Sequence, residues 1–170
     1  QGTYAPGSTF KPVTAIAALE TGIITPKSTI LTKGVYHYGD WAYKCWLYNQ
    51  NGGTHGRIDV TEAIKVSCNY FFYDIGRRTG ISTIARYASA FGLGEPTGIE
   101  IPVKIGVMTT PDYVNSLEGH YWTDGQTLTA AFGQSYSLFT PLQLANYVAT
   151  LAGGGTRYNA HLLKEVRTYD

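Results

Sequence analysis

Two side chains of this 170-residue sequence have types and spacing suited to acyl transfer, Ser8 and Lys11. Ser8 and Lys11 lie three positions apart in PGSTFKP, and Ser67 and Asn69 flank Cys68 in KVSCN. A serine hydroxyl is a weak nucleophile until a neighbouring base takes its proton. Lysine serves as that base only where burial or a nearby positive potential makes its ammonium give up a proton readily. A separation of three along a helix puts both groups on one face, a turn apart. A helix N-terminus adds a positive end and free backbone N–H groups, which can hold a developing oxyanion at the serine's own amide. A lone Ser-x-x-Lys is short and built from common residues, so by itself a capping serine and a solvated lysine are its preferred explanation.

The elements that must position these groups can be read from the pattern around them. After Ser8, the residues Val13, Ile16 and Leu19 recur three apart until Gly22, the pattern of an amphipathic helix. Pro12 is tolerated only in a first turn, which sets Ser8 at the helix N-terminus. Residues 23–57 lack a sustained period and are expected to form loops with short strands. Within them VYHYGDWAYKCWLYNQ, residues 35–50, reads as an aromatic loop or hairpin. Its tyrosines can line a peptide or glycan groove, but structural packing is the preferred reading. Asp59 and Glu62 have capping-box spacing ahead of a helix through Ala63, Ile64 and Val66. YFFYDIGRRTG continues as a helix, apolar at Phe71, Phe72 and Ile75 and ended by Gly80. Ser82 is expected to cap a further helix that Gly92 closes. Residues 92–125, with Pro96, Pro102 and Pro111, read as a long surface excursion. Thr140, Pro141 and Gln143 supply cap, first-turn proline and capping-box partner for the clearest helix of the chain. Leu142, Ala145, Val148 and Leu151 line one of its faces, and Gly153-Gly154-Gly155 end it. HLLKEVRTYD is expected to add a short terminal strand.

Composition limits the alternatives. With 44% hydrophobic and 15% charged residues, the chain is of ordinary globular type and long enough for one domain. A net charge of +1, with Arg77-Arg78 the only adjacent basic pair, gives no footprint for nucleic acid. Cys45 and Cys68 form no CxxC and no disulfide framework, and the sequence leaves open whether they pair. No apolar run approaches the roughly 20 residues of a membrane span, so the chain is expected to be soluble, with any targeting segment outside it. His37, His55, His120 and His161 are widely separated and lack metal-ligand spacing, so they are expected on loops or the surface, with no metal site.

The pairing of Ser8-Thr9-Phe10-Lys11 with Ser67-Cys68-Asn69 matches two of the three signature elements of penicillin-binding proteins and related β-lactamases. Over most of its length the chain resembles the transpeptidase domain of penicillin-binding proteins, most of all the class B, monofunctional type. The resemblance runs through GTYAPGSTFKPVTAIAALETG, HGRIDVTEAIKVSCNYFFYDIG, the segment around FGLGEPTGI, and GQSYSLFTPLQLANYVATLAGGGTRYNAHL. It implies a mainly α fold: the helical subdomain of the serine β-lactamase and penicillin-binding transpeptidase fold, with few short strands. Residues 1–170 would form one partial domain, the five-stranded antiparallel sheet being largely missing. By the same resemblance Ser8 is the nucleophile, Lys11 its base and Ser67 a proton relay to the leaving group. Asn69 hydrogen-bonds the substrate's acyl-side amide, while Cys68 points inward as a small buried hydrophobe. The chemistry implied is D,D-transpeptidation of peptidoglycan stem peptides through a serine ester, with no metal or organic cofactor. β-Lactam antibiotics are further ligands, and other cell-wall synthesis proteins are partners of the parent. That parent would be anchored at the extracytoplasmic face of the bacterial membrane by a segment not in this chain.

The third element, Lys-Thr-Gly, is missing. Arg78-Thr79-Gly80 follows Asn69 too closely and reads as a helix C-terminus. Lys104-Ile105-Gly106 precedes the Thr140 helix, which the family's motif follows. The absent strand would carry a basic residue and an oxyanion donor, and losing one such donor alone costs roughly 10²–10³ in rate. The chain is therefore expected to be weakly active or inactive. The Ser8 helix is expected to lose the sheet that covers one face, leaving an apolar patch that favours self-association. Two alternatives compete. A class D β-lactamase or β-lactam sensor would carry Ser-x-Val where this chain has Asn69, and would lack TPLQLA. A non-catalytic binding or assembly module is opposed by retention of all four polar residues.

Overall fold

The computed structural model describes residues 2–167. A 3-10 turn, Gly7–Phe10, leads directly into helix α1, Lys11–Glu20, with Pro12 in the first turn where no N–H is needed. Phe10, Val13, Ala15, Ala17 and Ala18 are buried on α1 and its lead-in. The small alanines let α4, Asn69–Thr79, and α5, Ile81–Ala90, pack close against α1. One apolar cluster joins Ala15 and Ala18 to Phe71, Phe72, Ile75, Ile58 and Val60. Another joins Phe10 and Val13 to Ile84, Ala88, Phe139 and Tyr147. Helix α1 lies between the two, so the element that carries Lys11 is the centre of the molecule.

The strands are short. Strand β1, Ile30–Thr32, pairs antiparallel with β4, Gly56–Ile58, in the register Ile30↔Ile58. Strands β2, Val35–Tyr38, and β3, Trp41–Lys44, form a hairpin closed by Gly39-Asp40, with Gly39 at φ 56° as so tight a turn requires. Among the described residues no sheet has more than two strands. The mainly α reading holds. The aromatic stretch is this hairpin, and its tyrosines pack on α4: Tyr36 against Tyr70 and Tyr73, Tyr43 against Tyr73.

Helix α3, Val60–Lys65, starts as expected, Asp59 Oδ1 accepting the Glu62 N–H at 2.9 Å. Gly80, at φ 81°, ends α4 and immediately starts α5, so the cap expected at Ser82 does not form. Two short helices interrupt stretches expected to be irregular, α2, Trp46–Asn51, and α6, Pro111–Ser116, and a third, α7, Gly125–Ala130, starts where the expected excursion ends. Helix α6 carries the same Thr-Pro opening as α8, Thr110 Oγ1 accepting from the Tyr113 N–H at 3.1 Å.

Helix α8, Pro141–Ala152, shows the complete capping box between Thr140 and Gln143. Its orientation differs from the expected one. Gln143, Tyr147 and Thr150 face inward, while Val148 is 53% exposed. Gln143 Oε1 accepts from the Thr140 and Gly106 N–H groups and its Nε2 donates to Glu95 O, so the buried amide is satisfied and turns the helix. The uncovered apolar face therefore lies on α8, at Ala145, Val148, Ala149 and Ala152, and not on the Ser8 helix. Residues 161–167 form no strand, and the rest of the expected terminal strand lies outside the described residues.

Candidate active site

Ser8 sits exposed in the 3-10 turn ahead of α1. Three bonds fix that turn. Gly7 N–H donates to Gly133 O at 2.9 Å, Thr9 Oγ1 to Pro6 O at 2.7 Å, and the Tyr147 hydroxyl of α8 to Thr9 O at 3.1 Å. Lys11, one turn on, is only 1% exposed. Its Nζ lies 3.2 Å from Ser8 Oγ, 2.7 Å from Ser67 Oγ, 2.8 Å from Ser67 O and 2.8 Å from Asn69 Oδ1. The Ser67 hydroxyl in turn donates to Ser8 Oγ at 2.9 Å. The rings of Phe72 and Phe132 lie 5.5 Å and 5.9 Å from Nζ and close the apolar side of the chamber.

The local chain explains how Ser67 and Asn69 reach the lysine. Ser67 occupies the junction between α3 and α4 with φ 52°, a left-handed conformation that is uncommon for a residue other than glycine. Asn69 opens α4, and its Oδ1 accepts from Lys11 Nζ. Burial lowers the Lys11 pKa from 10.5 to about 8, against the opposing charges of Cys45 and Cys68. A proton acceptor near pH 8 therefore contacts a hydroxyl at the start of a helix. All four residues singled out in the sequence meet at this one place.

Sequence reading missed what lies beneath. Cys68 is fully buried, as expected, but it faces Cys45, and both are free thiols with Sγ atoms 4.0 Å apart. The shared S–H raises the Cys68 pKa and lowers that of Cys45. His55 lies on the loop before β4, as expected, but faces inward: its Nδ1 is 3.8 Å from Cys45 Sγ, and its Nε2 is buried without a partner. One ligand atom from each of Cys45, His55 and Cys68 falls within 4.8 Å of the others. Two sulfurs and an imidazole suit a soft divalent cation such as zinc, which would need a fourth ligand from outside the trio. The spacing of 45, 55 and 68 resembles no compact ligand motif. The one signal in the sequence was a cysteine inside the Ser-x-Asn element.

An exposed serine, a buried lysine in contact with it and a Ser-x-Asn element thus meet on one helical scaffold. The chain belongs to the penicillin binding protein transpeptidase domain family, whose model matches residues 1–170. It is 34% identical to the peptidoglycan D,D-transpeptidase MrdA of Salmonella typhimurium, over 96% of this chain and 26% of that protein. Among solved structures, Pseudomonas aeruginosa PBP2 in complex with WCK 5153 superposes with a TM-score of 0.89 at 32% identity, covering 97% of this chain and 37% of that one. Penicillin-binding protein A from M. tuberculosis, as its penicillin G acyl-enzyme complex, superposes with a TM-score of 0.78 at 26% identity, over 95% of this chain and 35% of that one. The chain spans about a quarter of the length of the curated relatives it matches.

Proposed function

We propose that residues 1–170 are the helical part of a serine-type D,D-transpeptidase domain that takes up an acyl group at Ser8. The observation that carries this reading is the buried Lys11 Nζ, in contact with Ser8 Oγ, Ser67 Oγ and Asn69 Oδ1 at once. Neutral Lys11 takes the Ser8 proton as Oγ attacks the carbonyl of a D-Ala-D-Ala stem peptide or the ring of a β-lactam. Ser67, bridging Lys11 and Ser8, hands a proton to the leaving amine. Asn69, held through its Oδ1 by Lys11, presents its amide to the acyl side of the substrate. No step calls on a metal or organic cofactor. The parent protein acts on peptidoglycan outside the cytoplasmic membrane, and its partners are other cell-wall synthesis proteins. A solved complex of Helicobacter pylori PBP2 with MreC supports that class of partner.

The test is intact-mass spectrometry after incubation with excess benzylpenicillin, beside a Ser8→Ala control. No Lys-Thr-Gly stands in the 170 residues, so a slow adduct is expected, present in the wild type and absent from Ser8→Ala. An adduct that persists in Ser8→Ala overturns the assignment of the nucleophile. Catalytic release of ring-opened drug makes the chain a β-lactamase instead. A chain that is folded by circular dichroism yet never acylated is a scaffold without the activity proposed.

A further inference from the structure

Trp46 plays no part in the motifs, yet it touches the segment that presents Ser67. It opens α2 and is 41% exposed. Its indole Nε1–H donates to two consecutive carbonyls, Val66 O and Ser67 O, each at 3.1 Å. Those carbonyls lie where α3 has ended and α4 has not begun, so the helices do not supply the usual partners. Ser67 O also accepts from Lys11 Nζ at 2.8 Å. One carbonyl is thus clamped from the interior by an ammonium and from the surface by an indole. The indole is itself steadied by the His55 ring, at a centroid distance of 5.5 Å.

The clamp acts on a strained residue. Ser67 holds φ 52°, a conformation that costs a non-glycine residue on the order of 1 kcal/mol and persists only when its surroundings enforce it. The direction of the Ser67 side chain follows from that backbone angle. We propose that Trp46 is a positioning residue for Ser67. Its N–H fixes the Ser67 carbonyl and so keeps Ser67 Oγ 2.9 Å from Ser8 Oγ and 2.7 Å from Lys11 Nζ. Trp46 touches no reacting atom. The inference rests on the reading that Ser8 and Ser67 act in acyl transfer, and it names a residue on which that relay depends.

The test uses two variants of the whole chain. Trp46→Phe keeps an aromatic ring and removes the donor. Replacement of Trp46 by 3-benzothienylalanine keeps both rings and exchanges N–H for sulfur. Both variants are checked for folding by circular dichroism. Carbon-13 Cα and Cβ shifts of Ser67 report its backbone conformation directly. Both replacements are expected to move those shifts out of the left-handed range while resonances of α8 stay in place. Unchanged Ser67 shifts in the benzothienyl variant overturn the proposal, even if Trp46→Phe fails to fold.

The kinetic arm measures benzylpenicillin acylation with and without Ser67→Ala. Loss of one hydrogen bond of about 1–1.5 kcal/mol corresponds to roughly tenfold slower acylation of the Trp46 variant. In the Ser67→Ala background the same replacement is expected to slow acylation much less, because the hydroxyl it positions is gone. Equal slowing in both backgrounds marks a merely structural tryptophan and overturns the proposal. If the wild-type chain forms no adduct at all, the acyl-transfer reading fails, and the Ser67 shifts alone decide whether Trp46 holds that backbone.

Discussion

Lys11 shows how one buried side chain sets the working range of the site. Apolar surroundings penalise its ammonium and bring its pKa to about 8. Below that value most molecules hold an ammonium that cannot accept the Ser8 proton, so the acylation rate should climb about tenfold per pH unit and level off above it. Adduct formation with benzylpenicillin followed across pH should give a midpoint near 8. A flat profile, or a midpoint near the 10.5 of a solvated lysine, would contradict the buried-base reading. Stability should carry the same signature. The folded chain sheds this proton before the unfolded chain does, so Lys11 contributes a rise in stability from about pH 8 toward 10.5. Ser8, Lys11, Ser67 and Asn69 were legible in the sequence because each pair is local along the chain. Cys45, Trp46 and His55 were not, because their meeting depends on how the β3–α2 turn and β4 lie against the start of α4.

At the scale of elements, the turn that holds Ser8 depends on close backbone contact with the segment after α7. Gly133 has φ 81°, and a Cβ there would collide with the carbonyl of Gly7. Gly133→Ala should therefore lower stability by about 2 kcal/mol or more in urea unfolding. It should also abolish acylation in whatever fraction remains folded, because the Ser8 turn must move. Gly154→Ala is the control: its φ of 73° meets open space, so only the modest backbone penalty of about 1 kcal/mol applies. Equal effects at the two positions would show that the contact is unimportant. The sequence made the ends of α3 and α8 visible through their capping residues. It hid α6 in a proline-rich stretch, although Thr110-Pro111 repeats the Thr140-Pro141 signal. It also misled on the face of α8, since no periodicity rule anticipates a buried glutamine satisfied by Glu95, Gly106 and Thr140.

Over the whole molecule, the apolar clusters close around α1 but leave α8 half covered. Ala145, Val148, Ala149 and Ala152 face outward beside Thr9 of the turn that carries Ser8. An uncovered apolar helix face of this kind favours association of copies. Sedimentation velocity should show reversible, concentration-dependent self-association of the chain, and Val148→Asp should return it to monomer without changing its far-ultraviolet spectrum. A wild-type chain that stays monomeric at every accessible concentration would remove the expectation. The family and the helical class were visible in the motifs at the outset. Which face lacked a cover was not, because that depends on the rotation of α8 about its axis.

Counting protons at Lys11 gives the direction of the proposed proton transfer. An ammonium has three N–H groups, and four acceptors surround it. Two of them, Ser67 O and Asn69 Oδ1, can only accept, while the two serine hydroxyls can also donate. Once the nitrogen is neutral it keeps two N–H bonds and gains a lone pair. The obligate acceptors claim the two hydrogens, and the lone pair is left to the hydroxyls of Ser8 and Ser67. The base is aimed by the atoms that cannot give it a proton.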